Sequence, residues 1–222
     1  MNNCTFPRNI VPIIEEQAQD WGLLFMLVGP AGAGKNAIMN EVLRQLPDLR
    51  QLPTATTRPM RDTEEQGREH LFVSDAEFHQ MDDRHELIEW QKVHNHLYGT
   101  PRRTIENAMH EGRDLIADIE VLGANILHNE YPRNTVLVFV QPPSVDDLIK
   151  RMSIRGETQA EINTRLKRVE MEMQFAPQCD YLITNYQDQL KESSAVLYGI
   201  VLAERSKRSL DQLRQKTTAL QN

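Results

Sequence analysis

Nothing in this 222-residue chain approaches the roughly 18–20 consecutive apolar residues that a membrane-crossing helix needs. The longest useful apolar run, Leu23 to Val28, is only strand-sized. It follows Glu15, Glu16 and Asp20 rather than a basic stretch, so no secretory leader is expected. Cysteine is nearly absent. Cys4 and Cys179 have neither metal-site nor disulfide spacing, which makes free thiols and a reduced, cytoplasmic setting the expectation. A basic excess is missing as well: the net charge of −7 disfavours a broad nucleic-acid or membrane-binding surface. Internal repeats are lacking, and Pro and Gly are scattered rather than clustered. What remains is a chain that is 40% hydrophobic, enough to build one compact domain or a core with a small insert.

The arginines, though outnumbered by acids, gather locally as Arg58, Arg61 and Arg68, then Arg102 and Arg103, then Lys150, Arg151 and Arg155. Small basic groups on an acidic protein suggest recognition of small phosphorylated ligands.

Leu23 to Val28 reads as a strand buried on both faces, followed by a helical pattern over Ala37–Leu46. Asp114–Ile119, Thr135–Val140 and Tyr181–Thr184 are further strand candidates that precede helix-like segments, the last of them a helix over roughly 187–210. Such alternation predicts an α/β fold with a parallel sheet flanked by helices. Between about 52 and 100 the texture becomes short and alternating, as in His70–Val73 and Leu87–Val93, and predicts a small, partly antiparallel insert. The organisation expected is therefore an extension over 1–20 and a domain over 21–205. That domain has its core in 21–53 and 101–205 and its insert at about 54–100. A charged helical flap at about 150–170, bent at Gly156, and a polar, fraying tail over 206–222 complete it.

Gly29-Pro30-Ala31-Gly32-Ala33-Gly34-Lys35-Asn36 follows the first strand and opens a helix, the context that identifies a phosphate-binding P-loop. Its glycines let backbone amides converge on phosphate oxygens, and the helix start adds unpaired N–H groups. Lys35 supplies a point charge for the β- and γ-phosphates. The position after the lysine ordinarily carries Ser or Thr as a Mg²⁺ ligand; here Asn36 offers a neutral amide oxygen one bond farther out.

Downstream come Thr54-Ala-Thr-Thr-Arg58-Pro-Met-Arg61, Gly67, Phe72-Val-Ser74, Ile88-Glu89-Trp90, Tyr98-Gly99-Thr100 and Asp118-Ile-Glu120, in that order. This series resembles the guanylate kinase family over about residues 23–205. The chemistry agrees. Arg58 and Arg61 suit a phosphate dianion, and one carboxylate at Glu89 matches guanine's adjacent N1–H and 2-amino donors, which adenine lacks. The resemblance implies base contacts from Thr54, Thr100 and Glu120, and phosphate contacts from Tyr98 and from His70, which stands where the family usually has tyrosine. A histidine donor predicts a GMP KM that worsens between about pH 6 and 8. It also implies lid arginines at Arg151, Arg155 and Arg165, although the segment after Gly156 is one residue shorter than the usual pattern. Asn185 matches a position beside adenine. Asp118 reads either as the holder of a metal-bound water or as a structural strand-end carboxylate. His94 and His96 lack the further ligands of a metal site, and Trp21 and Trp90 read as packing residues.

The function implied is transfer of the γ-phosphoryl of ATP to GMP, with Mg²⁺ as cofactor and dGMP as a related acceptor, by a monomer or homo-oligomer. Two alternatives stay open at this level: a ribose 1,5-bisphosphate kinase of the same fold, and a guanylate kinase-like binding module weakened at Asn36.

Overall fold

The computed structural model describes residues 22–219 apart from 63, 69 and 94. The expected extension over 1–20, with Cys4, Trp21 and His94, lies outside these described residues.

Strand β1 (Leu24–Val28) is buried along its whole length because both of its faces meet helices. Phe25 and Leu27 point into one core with Ile38, Val42, Leu197 and Val201, whereas Leu24, Met26 and Val28 join Ile105, Met109, Ala124 and Leu127 on the other side. The first core is closed by α1 (Lys35–Gln45) and α7 (Leu190–Ala219). The second is closed by α3 (Arg102–His110) and α4 (Val121–Glu130). With β2 (Arg50–Gln51), β7 (Leu115–Asp118), β8 (Thr135–Gln141) and β9 (Tyr181–Thr184), β1 forms a wholly parallel sheet in the order β2-β7-β1-β8-β9. Because β7 and β8 leave β1 on opposite sides, their carboxyl ends open a crevice at a switch point, the place where such sheets bind ligands.

A second, smaller sheet runs in the order β4-β3-β6-β5, built from β3 (Thr54–Thr56), β4 (His70–Phe72), β5 (Leu87–Val93) and β6 (His96–Pro101). Only the β3–β4 pair is parallel. Leu87 pairs with Pro101 and Trp90 with Gly99, so Ile88 and Glu89 together oppose Thr100 alone. That irregularity is a bulge, a device that re-aims side chains beside binding sites. Helix α2 (Asp75–Asp83) lies under this sheet and seats Phe78 in a small core with Ala55 and Leu87. The alternating texture had concealed it. Its mark was the capping box Ser74/Glu77, where each side chain binds the other residue's backbone N–H. Trp90 packs edge-on against Phe78 yet keeps 42% of its surface exposed.

The flap segment is a pair of helices, α5 (Val145–Ile154) and α6 (Gln159–Met173), turning at Gly156 with φ of 83°. Ser144 caps the first, and a Thr158/Glu161 capping box starts the second. Leu148, Met152, Ile162 and Val169 hold the two together.

The C-terminal expectation is corrected twice. Asp188 sits at φ of 59°, outside helical space, so α7 begins at Leu190 rather than 187. It then continues to Ala219 instead of fraying after Arg205. Arg205 bridges Asp114 and Asp48 at 2.6 and 3.0 Å and pins the helix to the core. Beyond it the sequence contains neither Gly nor Pro and is rich in Lys, Arg, Gln and Leu, so propensity carries the helix onward. No helix among the described residues is long and apolar enough to cross a membrane.

Candidate active site

The loop between β1 and α1 has a backbone that side chains would forbid. Gly29 adopts φ of 129°, and a Cβ there would lie 2.2 Å from the Val140 carbonyl oxygen. Gly34, at φ of 100°, caps α1 with no side-chain hydrogen bond, so the first-turn amides are offered to a ligand. Lys35 folds back across the loop. Its Nζ donates to the carbonyls of Gly29 at 2.6 Å and Pro30 at 3.3 Å and stands 3.5 Å from Asp118 Oδ1. Burial pushes the Asp118 carboxyl above its ordinary range, with Lys35 opposing the shift and Glu120 reinforcing it.

A cleft of about 360 Å³ lies between the start of α1, the end of β7 and the small sheet. Asn36, Thr54, His70, Glu89, Tyr98, Gly99, Asp118 and Glu120 all line it. Glu89 reaches it from the β5 bulge, where Thr100 donates to its Oε1 at 2.5 Å. Burial raises the Glu89 carboxyl, partly offset by that hydroxyl. Thr54 Oγ1 and His70 Nδ1 are 2.8 Å apart, so donation from His70 to a ligand phosphate would have to come from Nε2.

Arg58 and Arg61 are not part of the lining. Arg61 projects outward, exposed. Arg58 is gripped by Glu64, an acid the motif reading passed over although it stands at equal spacing in Arg58-x-x-Arg61-x-x-Glu64.

A second recess of about 250 Å³ opens on the other side of the phosphate loop, lined by Gly32, Gly34, Arg151, Arg155, Asn185 and Tyr186 among others. Arg151 donates to the Ala33 carbonyl at 3.2 Å and the Asn185 carbonyl at 2.7 Å, bracing the loop from α5. Asn185 is buried. Its amide donates to the Ala33 carbonyl at 2.8 Å and accepts from Ser193 Oγ at 3.0 Å, so in this state both ends of the amide serve the protein. Arg155 is exposed at the end of α5. Arg165 is apart from both and pairs with Glu157 at 2.9 Å.

Glu172, on α6, was not anticipated. It is only 7% exposed, and its carboxyl is pushed up to about 7, first by burial and then by Glu120, against Lys35, Arg168 and Arg165. A carboxyl raised in the folded state binds protons that the unfolded chain has released, so stability falls as pH rises from about 4.5 to 7. Glu172→Gln therefore raises the melting temperature at pH 8 and removes part of that slope. The gain is on the order of 1–2 kcal/mol once solvent screening is discounted. Thermal melts of both proteins at pH 5 and pH 8 check it.

Among the described residues no group of three or more His, Cys, Asp or Glu side chains converges to cage a metal. Mg²⁺ is commonly held by substrate phosphates and water with one or two protein oxygens. Asn36 and Asp118, both on the cleft wall, supply that type of donor.

Comparison with known proteins matches residues 23–204 to the family model described as guanylate kinase. Over 84% of its length the chain is 40% identical to guanylate kinase of Thermotoga maritima, covering 89% of that protein. It is 39% identical to guanylate kinase of Bradyrhizobium diazoefficiens, with 84% and 85% covered. Its fold superposes on the crystal structure of guanylate kinase from Anaplasma phagocytophilum with a TM-score of 0.65 at 25% identity, covering 83% of this chain and 87% of that one.

Proposed function

This chain belongs to the guanylate kinase family, and from that premise we propose that it transfers the γ-phosphoryl group of ATP to GMP, yielding ADP and GDP, across the cleft between phosphate loop and small sheet. The observation that carries the reading is the bulge-placed Glu89 facing the same cleft as Asn36 and Asp118. That supports an acceptor cleft adjoining the end of the phosphate-loop motif at Asn36.

The triphosphate of ATP occupies the loop, with Lys35 leaving its carbonyl partners for the β- and γ-phosphates, and the base rests in the recess beside Asn185 and Tyr186. Guanine sits between the two sheets. Glu89 accepts its N1–H and 2-amino hydrogens, Thr54, Thr100 and Glu120 add contacts, and Gly99 lines the floor. Arg58, Arg61, Tyr98 and His70 take the GMP phosphate. Arg151, Arg155 and Arg165 close from α5 and α6 and neutralise the phosphoryl group in flight. No general base is required. The second pKa of a phosphate monoester is near 6, so GMP already presents a nucleophilic oxygen at neutral pH. Catalysis is alignment plus cancellation of charge, and closure keeps water from intercepting the phosphoryl group. Asn36 and Asp118 would hold Mg²⁺, which would supply positive charge against the phosphates.

The test is an ADP-coupled assay with ATP, Mg²⁺ and each nucleoside monophosphate in turn. GMP is expected to be turned over far faster than AMP, CMP or UMP. Activity on ribose 1,5-bisphosphate in place of GMP would favour the sugar-phosphate alternative, which has no use for Glu89. GMP binding without ATP binding would favour a binding module, which the retained Lys35 argues against. Asn36→Ser leaves the reaction intact and raises kcat by less than about tenfold, since an amide oxygen and a hydroxyl oxygen are both neutral donors of the kind Mg²⁺ accepts. Steady-state kinetics over a Mg²⁺ series measure this. A variant active where the native chain is inert would mark the protein as degenerate.

A further inference from the structure

The guanidinium of Arg58 is already saturated along one edge. Nη1 donates to Glu64 Oε2 at 2.9 Å and to the Pro59 carbonyl at 2.8 Å, and Nη2 donates to Glu64 Oε1 at 2.7 Å. Both side chains are nearly buried, at 13% and 12% exposure. The cation also lies over the Phe72 ring, 5.5 Å from its centroid. Glu64 Oε2 takes a further bond at 2.9 Å from the Arg61 backbone N–H, tying the whole Arg58–Arg61 turn to one carboxylate. Such bidentate pairs fix the plane of the guanidinium as well as its position.

An arginine has five N–H donors. With three spent, Nε–H and the second hydrogen of Nη2 remain, and these form the side-on edge. Tyr98, on the cleft wall, is the next hydrogen-bonding neighbour of the guanidinium. We infer that Glu64 is a positioning residue for the acceptor: it anchors the end-on edge of Arg58 so that the side-on edge is presented to the phosphate of GMP beside Tyr98. This rests on reading the cleft as the GMP site.

A rival reading of the same contact makes Glu64 a stand-in for the phosphate, a carboxylate that GMP must displace. The geometry opposes it, since the carboxylate uses the edge away from the unspent donors and is also anchored by Arg61. Glu64 stays ionised over any working pH, because hydrogen bonds from Arg58 and then from Arg61 hold its carboxyl down at about 2. The anchor is therefore permanent and not a pH switch.

Glu64→Gln keeps the shape but loses the charge and one acceptor. It raises KM for GMP by about 10–100-fold, with KM for ATP within about twofold and kcat within about threefold. Calorimetric titration with guanosine, which has no phosphate, gives the same affinity for Glu64→Gln as for the native chain. Glu64→Asp restores part of the loss. In an Arg58→Ala background Glu64→Gln adds nothing further, which a merely structural role would not produce. An unchanged or lowered KM for GMP, or an equal loss of guanosine affinity, would overturn the inference. If the native chain itself makes no GDP, the underlying reading fails instead, and the two failures are told apart by the native control.

Discussion

Lys35→Ala lowers kcat for GDP formation by about 10³-fold or more while leaving GMP affinity within about twofold. The size follows from what the side chain does. It is the cation of the phosphate loop, and its Nζ rests against the Gly29 and Pro30 carbonyls. The move from those carbonyls to the β- and γ-phosphates costs no net donor, so the charge is realised mainly where negative charge accumulates in the transition state. Such preorganised electrostatic groups account for the largest single effects known in phosphoryl transfer. The fold should survive the change. Asp118, 3.5 Å away, loses its countercharge, which removes the one contact opposing the upward push of burial on its carboxyl. The measurement is the coupled assay at saturating ATP together with calorimetric titration of GMP. Retention of more than about a tenth of native kcat would mean that the loop does not hold the triphosphate as described.

Glu89→Gln lowers kcat/KM for GMP by about 10²–10³-fold, almost entirely through KM. Gln offers one acceptor where guanine presents two donors, and its own NH₂ meets the 2-amino group. Inosine monophosphate keeps N1–H but lacks the 2-amino group, so the native enzyme discriminates against it and the variant loses most of that discrimination. Stability moves the other way. Burial raises the Glu89 carboxyl above its ordinary value, so the ionised form destabilises the folded chain above the unfolded pKa. Removing the charge therefore keeps or raises the melting temperature at neutral pH, while Thr100 retains an oxygen to donate to. The same shift gives an acid-side pH dependence: GMP binding weakens as pH falls and Glu89 takes up a proton, and the variant lacks this limb. A variant with native KM for GMP would remove Glu89 from the guanine site.

Local signals gave reliable structure wherever a segment's own periodicity matched its final surroundings. The β1 run is apolar at every position because both faces are covered, and the glycines of the phosphate loop reflect backbone angles that other residues reject. Where two patterns competed, the reading failed. Helix α2 is hidden inside an alternating stretch, its capping box being a stronger signal than its hydrophobic periodicity. The helical continuation of α7 past Arg205 reads as a polar tail in the sequence, since a charged surface and a frayed end look alike in composition.

The order of residues along this chain determined the phosphate loop, the arginine and glutamate identities, and the alternation that builds a parallel sheet. These are properties of neighbours within a few positions. Only the folded chain decided how those side chains are held. Arg58 gives one edge to Glu64, Arg151 braces two backbone carbonyls, Arg165 pairs with Glu157, and the neutral Asn185 amide serves Ala33 and Ser193. Glu89 faces the cleft because β5 carries an extra residue against β6. Hydrogen bonding depends on distance in space, and a pairing register is settled between strands, so neither can be read from a single segment.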